Sequence, residues 1–253
     1  MSTYNIDLTG QIAFITGGFR GIGGACTRLF SEAGAQCVIT GRRPLDEDIE
    51  TFADEIEKLY GTRPYYIQAD IGNEEAVKSS VKEAGEKFGH IDILIGNAGG
   101  AFTFDENIRN NIYGTNWLWE ATYPYLAKAE KGGKAVFISS SCIIYGGHGY
   151  QDPSYIAGKA GEEALCKLYA RNGAKDGIRV NCVLPGPTLS EGMAEMNGGK
   201  EIAREKYDKQ MPLGFIGETE DLAGVCLFLC SDLSKYLTAQ TYNVDGGRFL
   251  VGY

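Results

Sequence analysis

Hydrophobic and polar positions along the chain follow two alternating patterns. Short, continuous apolar runs are typical of strands covered on both faces, and they lie at 12–16, 37–40, 65–69, 91–96, 134–139, 179–184 and 241–244. Longer segments typical of helices separate them, at about 21–33, 45–61, 73–89, 111–131, 155–174 and 220–229. This alternation predicts an α/β fold, a doubly wound parallel sheet of about seven strands with helices on both faces.

The composition does not change along the chain in a way that would mark a domain boundary. The 253 residues suffice for one large α/β domain or two small ones, and the sequence contains no repeat or low-complexity linker. We therefore predict one domain, 1–253. Residues 186–215 are rich in glycine, methionine and charge. They are predicted to be the least regular part and to form a mobile excursion over a site.

Charge and cysteine usage narrow the classes of function. A formal net charge of −9 argues against a nucleic-acid or anionic-membrane surface, because both require a basic face. The opening "MSTYNIDLTGQ" does not resemble a signal peptide, and no apolar run is long enough to span a membrane. The seven cysteines without a CxxC pair and the two histidines without ligand spacing predict reduced, buried thiols and no metal site. We expect a cytoplasmic protein without nucleic-acid or membrane partners.

A glycine-rich segment, "FITGGFRGIGGA", directly follows the first predicted strand. Glycine permits a tight turn and lets backbone N–H groups approach a pyrophosphate at the positive end of the next helix. Any tight strand–helix turn favours glycine, but the position after the first strand favours a dinucleotide site. The predicted cofactor-binding residues of this loop are Gly17, Gly18, Phe19, Arg20, Gly21, Ile22 and Gly23.

The end of the second predicted strand bears on which cofactor binds. An acidic residue there would accept from the ribose 2′-hydroxyl and repel a 2′-phosphate, whereas this chain has Arg42 and Arg43. Arg20 in the glycine loop adds a third guanidinium, the group that binds phosphate bidentately. Two arginines after a strand can simply be solvated, but three at one corner of an acidic chain favour NADP(H) over NAD(H).

Seven short motifs in order resemble the short-chain dehydrogenase/reductase family, in its compact single-domain branch. They are "TGGFRGIG", "NAG" (97–99), "NIYG" (111–114), "ISS" (138–140), "YIAGK" (155–159), "NCVLPGPT" (181–188) and "NVDGG" (243–247). The resemblance covers nearly the whole chain. It implies a Rossmann-type fold and an oxidoreductase that uses a nicotinamide cofactor. It also implies a homotetramer built on the helices at about 111–131 and 155–174 and on the last strand, with a homodimer as the alternative.

Tyr155 and Lys159 lie four residues apart at the start of a predicted helix. By itself this pair is also consistent with a packed tyrosine and a solvated lysine. A phenol, with an ordinary pKa of about 10, is a poor acid–base group at neutral pH. Residues four apart share a helix face, so the lysine ammonium would stabilise the phenolate. We predict Tyr155 as the catalytic acid/base and Lys159 as the group that tunes it. In the family this lysine also holds the nicotinamide ribose.

Two further catalytic positions follow from the resemblance. Ser140 is predicted to donate a hydrogen bond to the substrate carbonyl, with Ser141 as the alternative, because the interval to Tyr155 is two residues longer than is usual in the family. Asn111 resembles the asparagine that holds a water in a proton relay through the lysine. The segment before it is shorter than in the family, so Asn110 or Asn107 takes the role if the register shifts.

The resemblance also assigns the remaining contacts. The adenosine half of the cofactor is predicted to meet Asp70, Ile71, Asn97, Ala98 and Gly99. The nicotinamide half is predicted to meet Tyr155, Lys159, Pro185, Gly186 and Thr188. The predicted substrate residues are Ser140, Cys142, Tyr145, Tyr150 and Tyr155.

Several functions on this fold remain in competition. We predict an NADP(H)-dependent alcohol dehydrogenase/ketoreductase for a small polar secondary alcohol such as a sugar, polyol or hydroxy compound, with steroid or acyl-carrier substrates left open. The alternative is a catalytically silent NADP(H)-binding sensor, which the presence of Tyr155 and Lys159 disfavours. A lyase or dehalogenase variant is disfavoured by the intact glycine loop, and an enoyl reductase by the short Tyr-to-Lys spacing.

Overall fold

The computed structural model of the chain describes residues 6–100, 103–146 and 152–250. The strands are β1 Ile12–Thr16, β2 Gln36–Gly41, β3 Tyr65–Gln68, β4 Ile93–Gly96, β5 Lys134–Ile138, β6 Arg179–Pro185, β7 Thr188–Leu189, β8 Gly217–Glu218 and β9 Thr241–Val244. The helices are α1 Gly21–Glu32, α2 Glu47–Tyr60, α3 Glu74–Phe88, α4 Phe104–Ile108, α5 Thr115–Leu126, α6 Cys142–Tyr145, α7 Pro153–Gly173, α8 Glu191–Asn197, α9 Lys200–Asp208 and α10 Thr219–Leu229. A π-helical turn, Arg109–Gly114, joins α4 to α5.

Seven strands form one parallel sheet in the order β3-β2-β1-β4-β5-β6-β9. The sheet order reverses direction beside β1, which pairs with β2 on one side and with β4 on the other. Ligands of open α/β sheets bind at such a switch point, beyond the carboxyl ends of the strands. The predicted fold class and strand number are confirmed.

Alternate residues of the central strands enter two hydrophobic layers, one on each face of the sheet. Phe14 and Leu94 pack with residues of α3, α5 and α7. Ile15 and Ile95 pack with residues of α1, α2 and α10. Both faces are therefore covered, which explains why the strands are continuously apolar in sequence.

Local sequence signals set the ends of several helices. The Asn73 side chain accepts a hydrogen bond from the Ala76 backbone N–H at 3.0 Å at the start of α3, and Gly89 ends that helix. Asp152 likewise accepts from the Ser154 N–H at 2.7 Å at the start of α7. Side-chain acceptors of this kind satisfy N–H groups that have no partner within the helix.

Two predictions about regularity were wrong. Residues 186–215 are not irregular, since they contain β7, α8 and α9. The helix predicted at 111–131 ends at Leu126 and is preceded without a break by the π-helical turn and α4. The capping box of Thr103 and Glu106 starts α4, so the short segment after "NAG" forms a helix of its own.

Within the described residues, no helix is long and apolar enough to cross a membrane. Nor does that part of the chain contain a group of three or more His, Cys, Asp or Glu side chains placed to hold a metal ion.

Candidate active site

The glycine loop between β1 and α1 needs glycine at two positions, for backbone conformation at one and for close packing at the other. Gly21 has a φ of +58°, a left-handed conformation that residues with a Cβ adopt rarely. A Cβ on Gly23 would lie 2.2 Å from the Gly17 carbonyl oxygen, so this residue allows helix and loop to pack closely. Thr27 fastens the turn, because its hydroxyl donates to the carbonyl oxygens of Gly18 at 2.7 Å and Gly23 at 3.0 Å.

The amino end of α1 carries an acidic contact from far along the chain. Arg20 precedes the helix and supplies no side-chain cap. Instead the Gly21 backbone N–H donates to Oε2 of Glu191, at the start of α8, over 2.9 Å. A carboxylate therefore lies where the partial positive charge of the helix end favours an anion.

A cavity of about 460 Å³ opens beside this loop. Its lining contains many of the predicted cofactor residues: Gly17, Phe19, Arg20, Gly21, Ile22, Arg42, Arg43, Ile71, Asn97, Ala98, Gly99 and Thr188. Ser190, Glu191 and Gly192 close it from the side of α8. Gly18 and Gly23 are buried behind it and act in packing.

The three predicted arginines all line this cavity, but they differ in whether nearby carboxylates already pair with them. Arg43 forms ion pairs with Asp46 and, at 2.9 Å, with Asp48, and its guanidinium lies over the Phe19 ring. Arg42 forms no ion pair within the described residues, and its carbonyl oxygen accepts from the Gln68 side chain at 3.0 Å. Arg42 and the exposed Arg20 are therefore the more available cations.

The "NAG" segment after β4 is held against the end of β1 by Thr16, the first residue of the "TGGFRGIG" motif, which was not among the predicted site residues. Thr16 Oγ1 accepts from the backbone N–H groups of Asn97 at 3.0 Å and Ala98 at 2.9 Å. The Asn97 side chain returns a hydrogen bond to the Thr16 carbonyl oxygen at 3.0 Å. These bonds bridge two neighbouring strand ends at the switch point of the sheet.

Lys159 is buried, with 4% of its surface exposed, and its ammonium donates to two acceptors. Nζ donates to the Ile138 carbonyl oxygen at the end of β5 over 2.7 Å and to Glu162 Oε2 over 2.8 Å. Tyr155 lies one helical turn earlier on α7 and is half-buried. The alternative of a solvated lysine is therefore wrong.

The buried pair Lys159–Glu162 has a distinctive electrostatic balance. Burial opposes the charge of Lys159, but Glu162 and Tyr155 together raise the pKa of its ammonium above the ordinary value. Burial raises the pKa of Glu162, and Lys159 and the Thr115 hydroxyl only partly counter it. The ammonium form of Lys159 is consequently favoured throughout the neutral range.

The three serines after β5 have different partners. Ser139 is buried and donates to the Lys159 carbonyl oxygen at 2.7 Å. Ser141 is also buried, and its hydroxyl lies 3.1 Å from that of Tyr145. Ser140 is half-buried, and its Oγ accepts from the Cys142 backbone N–H at 3.4 Å, a long hydrogen bond.

Three asparagines of α4 and the π-helical turn lie against α7 or the "NAG" segment. Asn107 Nδ2 donates to Ser154 Oγ at 3.0 Å, and Asn110 Nδ2 donates to the Gly100 carbonyl oxygen at 3.2 Å. Asn111 Nδ2 donates to the Asn107 carbonyl oxygen, whereas its buried Oδ1 has no hydrogen-bond partner within the described residues.

The side chains of Asn111 and Lys159 both lie close to Gly99. A Cβ built on Gly99 would lie 2.6 Å from Asn111 Oδ1 and 2.9 Å from Lys159 Nζ. The end of β4, the π-helical turn and α7 therefore converge where a side chain at position 99 has no room. An acceptor beside an ammonium in such a place suits the ribose and amide groups of a nicotinamide nucleotide, so the residues present fit that cofactor.

The other predicted residues are placed as follows. Asp70 is exposed, and its carboxylate accepts from the Gly72 N–H at 2.9 Å. Thr188 donates to the Gly186 carbonyl oxygen at 3.0 Å. The Pro185 carbonyl oxygen accepts from the Ser141 N–H at 2.9 Å. Cys142 is 1% exposed, and burial raises the pKa of its thiol. Tyr150 lies outside the described residues.

Sequence reasoning missed two carboxylates, Glu162 and Glu191. Glu162 lies three residues after Lys159, a spacing that places both on one side of a helix, so this signal was available. Glu191 contacts a residue 170 positions earlier, and no local pattern indicates such a contact.

The chain has a Rossmann-type α/β fold, and comparison with known proteins identifies its family as one of oxidoreductases. The family model described as Enoyl-(Acyl carrier protein) reductase matches residues 17–248. The chain belongs to the short-chain dehydrogenase/reductase family.

Relatives of known activity and known structure match nearly the whole chain. The 3-oxoacyl-(acyl-carrier-protein) reductase FabG of Thermotoga maritima is 35% identical over 250 residues, covering 95% of this chain and 98% of that protein. The L-rhamnose 1-dehydrogenase (NAD(P)(+)) of a Sphingomonas species is 32% identical over 253 residues, covering 96% and 98%. The crystal structure of L-sorbose reductase from Gluconobacter frateurii, complexed with NADPH and L-sorbose, has a TM-score of 0.88 at 25% identity and covers 98% of this chain and 100% of that chain.

Proposed function

We propose that this oxidoreductase uses NADP(H) to interconvert a small polar secondary alcohol, such as a sugar, polyol or hydroxy compound, and its carbonyl form. The observation that carries the proposal is the convergence on Gly99. The buried Lys159 ammonium faces it, one helical turn from Tyr155. Asn111 Oδ1, which has no hydrogen-bond partner in the described part of the chain, faces it too. Gly99 lines the cavity beside the glycine loop.

The cavity residues would hold the cofactor in two parts. The glycine loop and the amino end of α1 suit the pyrophosphate. Arg20 and Arg42 suit a 2′-phosphate, because guanidinium groups form charge-assisted hydrogen bonds with phosphate oxygens. The bound NADPH of the L-sorbose reductase structure supports the same preference. Lys159 and Asn111 suit the nicotinamide ribose.

Residues of the chain donate and accept the proton of the reaction. When bound, the cofactor supplies the hydride for reduction of the carbonyl carbon. In that direction the Tyr155 hydroxyl donates its proton to the carbonyl oxygen, and the Lys159 ammonium stabilises the phenolate that remains. Ser140 donates a hydrogen bond to the same oxygen as negative charge develops on it. Oxidation of the alcohol reverses these transfers.

Two relatives support a sugar-like substrate, namely the L-rhamnose dehydrogenase and the L-sorbose reductase. The FabG relatives support 3-oxoacyl groups on acyl-carrier protein as the second candidate. Carrier proteins that are acidic need a basic docking face, and this chain carries a net charge of −9. We therefore place the free polar compound first.

The deciding experiment is an activity screen with NADPH and NADH against ketoses, aldoses, small ketones and 3-oxoacyl thioesters. NADPH oxidation with a free polar carbonyl, lost in Tyr155→Phe, is the expected result. Faster turnover of the 3-oxoacyl thioester would instead favour the second candidate, reduction of 3-oxoacyl groups on acyl-carrier protein. NADPH binding without turnover of any compound would support the silent sensor. The predicted homotetramer is checked separately by light scattering.

A further inference from the structure

Glu162 forms an ion pair inside the helix that carries Tyr155 and Lys159. Its side chain is 1% exposed, and Oε2 accepts from Lys159 Nζ at 2.8 Å. The other oxygen, Oε1, accepts from the Thr115 hydroxyl on α5 at 3.4 Å. Both carboxylate oxygens therefore have partners in the contact between α7 and α5.

A buried carboxylate needs a compensating charge. Taking an ionised carboxylate out of water is strongly unfavourable unless it is paired and hydrogen-bonded. Of the described residues that contact the Glu162 carboxylate, only Lys159 supplies a full positive charge. The reverse also holds, because the Ile138 carbonyl oxygen carries only a partial charge. Each member of the pair therefore stabilises the charge of the other.

The pair also fixes the direction of the ammonium. A lysine ammonium has three donors, and those to Ile138 and Glu162 account for two of them. Nζ is then held against the place where a Gly99 Cβ would lie, at 2.9 Å. A lysine side chain without such restraint loses rotamer entropy whenever it binds a ligand, so the ion pair prepares Lys159 for its role.

The carboxylate has a second effect, on the electrostatics at Tyr155. A negative charge 2.8 Å from Nζ offsets part of the ammonium's stabilisation of a phenolate on the same helix. We propose that Glu162 is a positioning residue for the reaction: it orients Lys159 and, through its charge, sets the pH at which Tyr155 releases its proton. This inference rests on the proposed acid–base role of Tyr155.

Other titratable groups face the pair from several elements. Cys182 on β6 and Cys142 on α6 lie close enough to Lys159 to interact with its charge. On α7 itself, Cys166 and Tyr169 interact with Glu162. Burial raises the pKa values of Cys142, Cys166 and Tyr169, so these groups remain neutral near pH 7. Among these titratable neighbours, Glu162 is the one in hydrogen-bond contact with the Lys159 ammonium, at 2.8 Å.

The test compares Glu162→Gln with Glu163→Gln in the cofactor-free protein. Glu163 is a matched control on the same helix, where it pairs instead with Lys167 and Thr241. Phenolate absorbance is titrated against pH in each protein and in its Tyr155→Phe derivative, and the difference isolates Tyr155. Glu162→Gln removes a like charge, so we expect Tyr155 to ionise at a pH lower by about 1 unit. Glu163→Gln should leave the midpoint in place.

A midpoint that stays unchanged or moves to higher pH in folded Glu162→Gln would overturn the proposal. Circular dichroism establishes whether that variant is folded. Thermal unfolding supplies a second test that needs no titration, using Lys159→Met, Glu162→Leu and the double variant. We expect the double variant to have a higher Tm than either single variant, because each single change leaves an unpaired buried group. Additive losses of Tm would show that the two residues do not act as a pair.

These readouts separate this inference from the proposed function. The Tyr155 titration and the Tm comparison use neither substrate nor NADPH. If they turn out as expected while no carbonyl compound is reduced, the ion pair stands and the proposed reaction fails. If an activity is found, the alkaline limb of kcat/KM for reduction should also move to lower pH in Glu162→Gln, since reduction needs protonated Tyr155.

Discussion

The Ser139 hydroxyl donates a hydrogen bond to the Lys159 backbone carbonyl oxygen at 2.7 Å. This bond ties the end of β5 to α7 and removes Ser139 from the set of available hydroxyls. Ser141 is buried beside Tyr145. Of the three consecutive serines, Ser140 is the half-buried one, which supports it as the donor to a substrate carbonyl.

Ser140→Ala should lower kcat by about 100-fold or more, the usual loss when one donor to a developing oxyanion is removed. Ser141→Ala is the control and should affect Tm more than kcat, because its hydroxyl lies in a buried contact. Steady-state kinetics at saturating NADPH decide between them. A larger loss of kcat in Ser141→Ala would make Ser141 the catalytic hydroxyl.

Tyr155→Phe should reduce turnover on the order of 1,000-fold, because it removes the proton donor and leaves the ring in place. The NADPH dissociation constant, measured by fluorescence titration, should stay near that of the wild type. Substantial residual activity would contradict the acid–base role.

Arg42→Ala should lower the preference for NADPH over NADH by about 10-fold or more, as expected for loss of a charge-assisted hydrogen bond to phosphate. Arg43→Ala should have a smaller effect, because Arg43 already pairs with Asp46 and Asp48. The ratio of kcat/KM values for the two cofactors is the measurement. An unchanged ratio in Arg42→Ala would contradict the proposal that Arg42 binds the 2′-phosphate.

Glu191→Gln should tighten NADPH binding by about 3-fold, the order of a single charge interaction with a helix end. The Glu191 carboxylate accepts from the Gly21 N–H at 2.9 Å, where an incoming pyrophosphate would compete with it. Glu195→Gln, also on α8, is the control of equal charge change. Equal effects in both variants would indicate only a general change in net charge.

The cysteine thiols of the native protein should not react with a thiol reagent at pH 8. All seven cysteines are free and buried, and burial raises the pKa of Cys37 to about 12, so little of the reactive thiolate is present. Denaturation should expose all seven. Rapid reaction of any thiol in the folded protein would contradict this packing.

Most of the fold was predictable, because its signals are local. Apolar runs, the Asn73 cap and Gly89 determined where elements begin and end. The segment 186–215 escaped prediction because α8 and α9 are short and each buries one residue, Ala194 or Ala203, so neither shows an apolar stripe at helical spacing. The helix before Asn111 was missed for a similar reason, since α4 has five residues and the residue that it buries is the polar Asn107.

The sequence alone determined the family, the parallel sheet, the glycine loop and the Tyr155–Lys159 pair, because each depends on residue type and short spacing. Only the tertiary structure decided which groups meet across long separations. It placed Lys159 Nζ on the Ile138 carbonyl oxygen, Asn111 beside Gly99, and Glu191 on the amino end of α1. The physical reason is that burial and charge pairing depend on what packs against a side chain, and parallel strand ends bring together residues far apart in the chain.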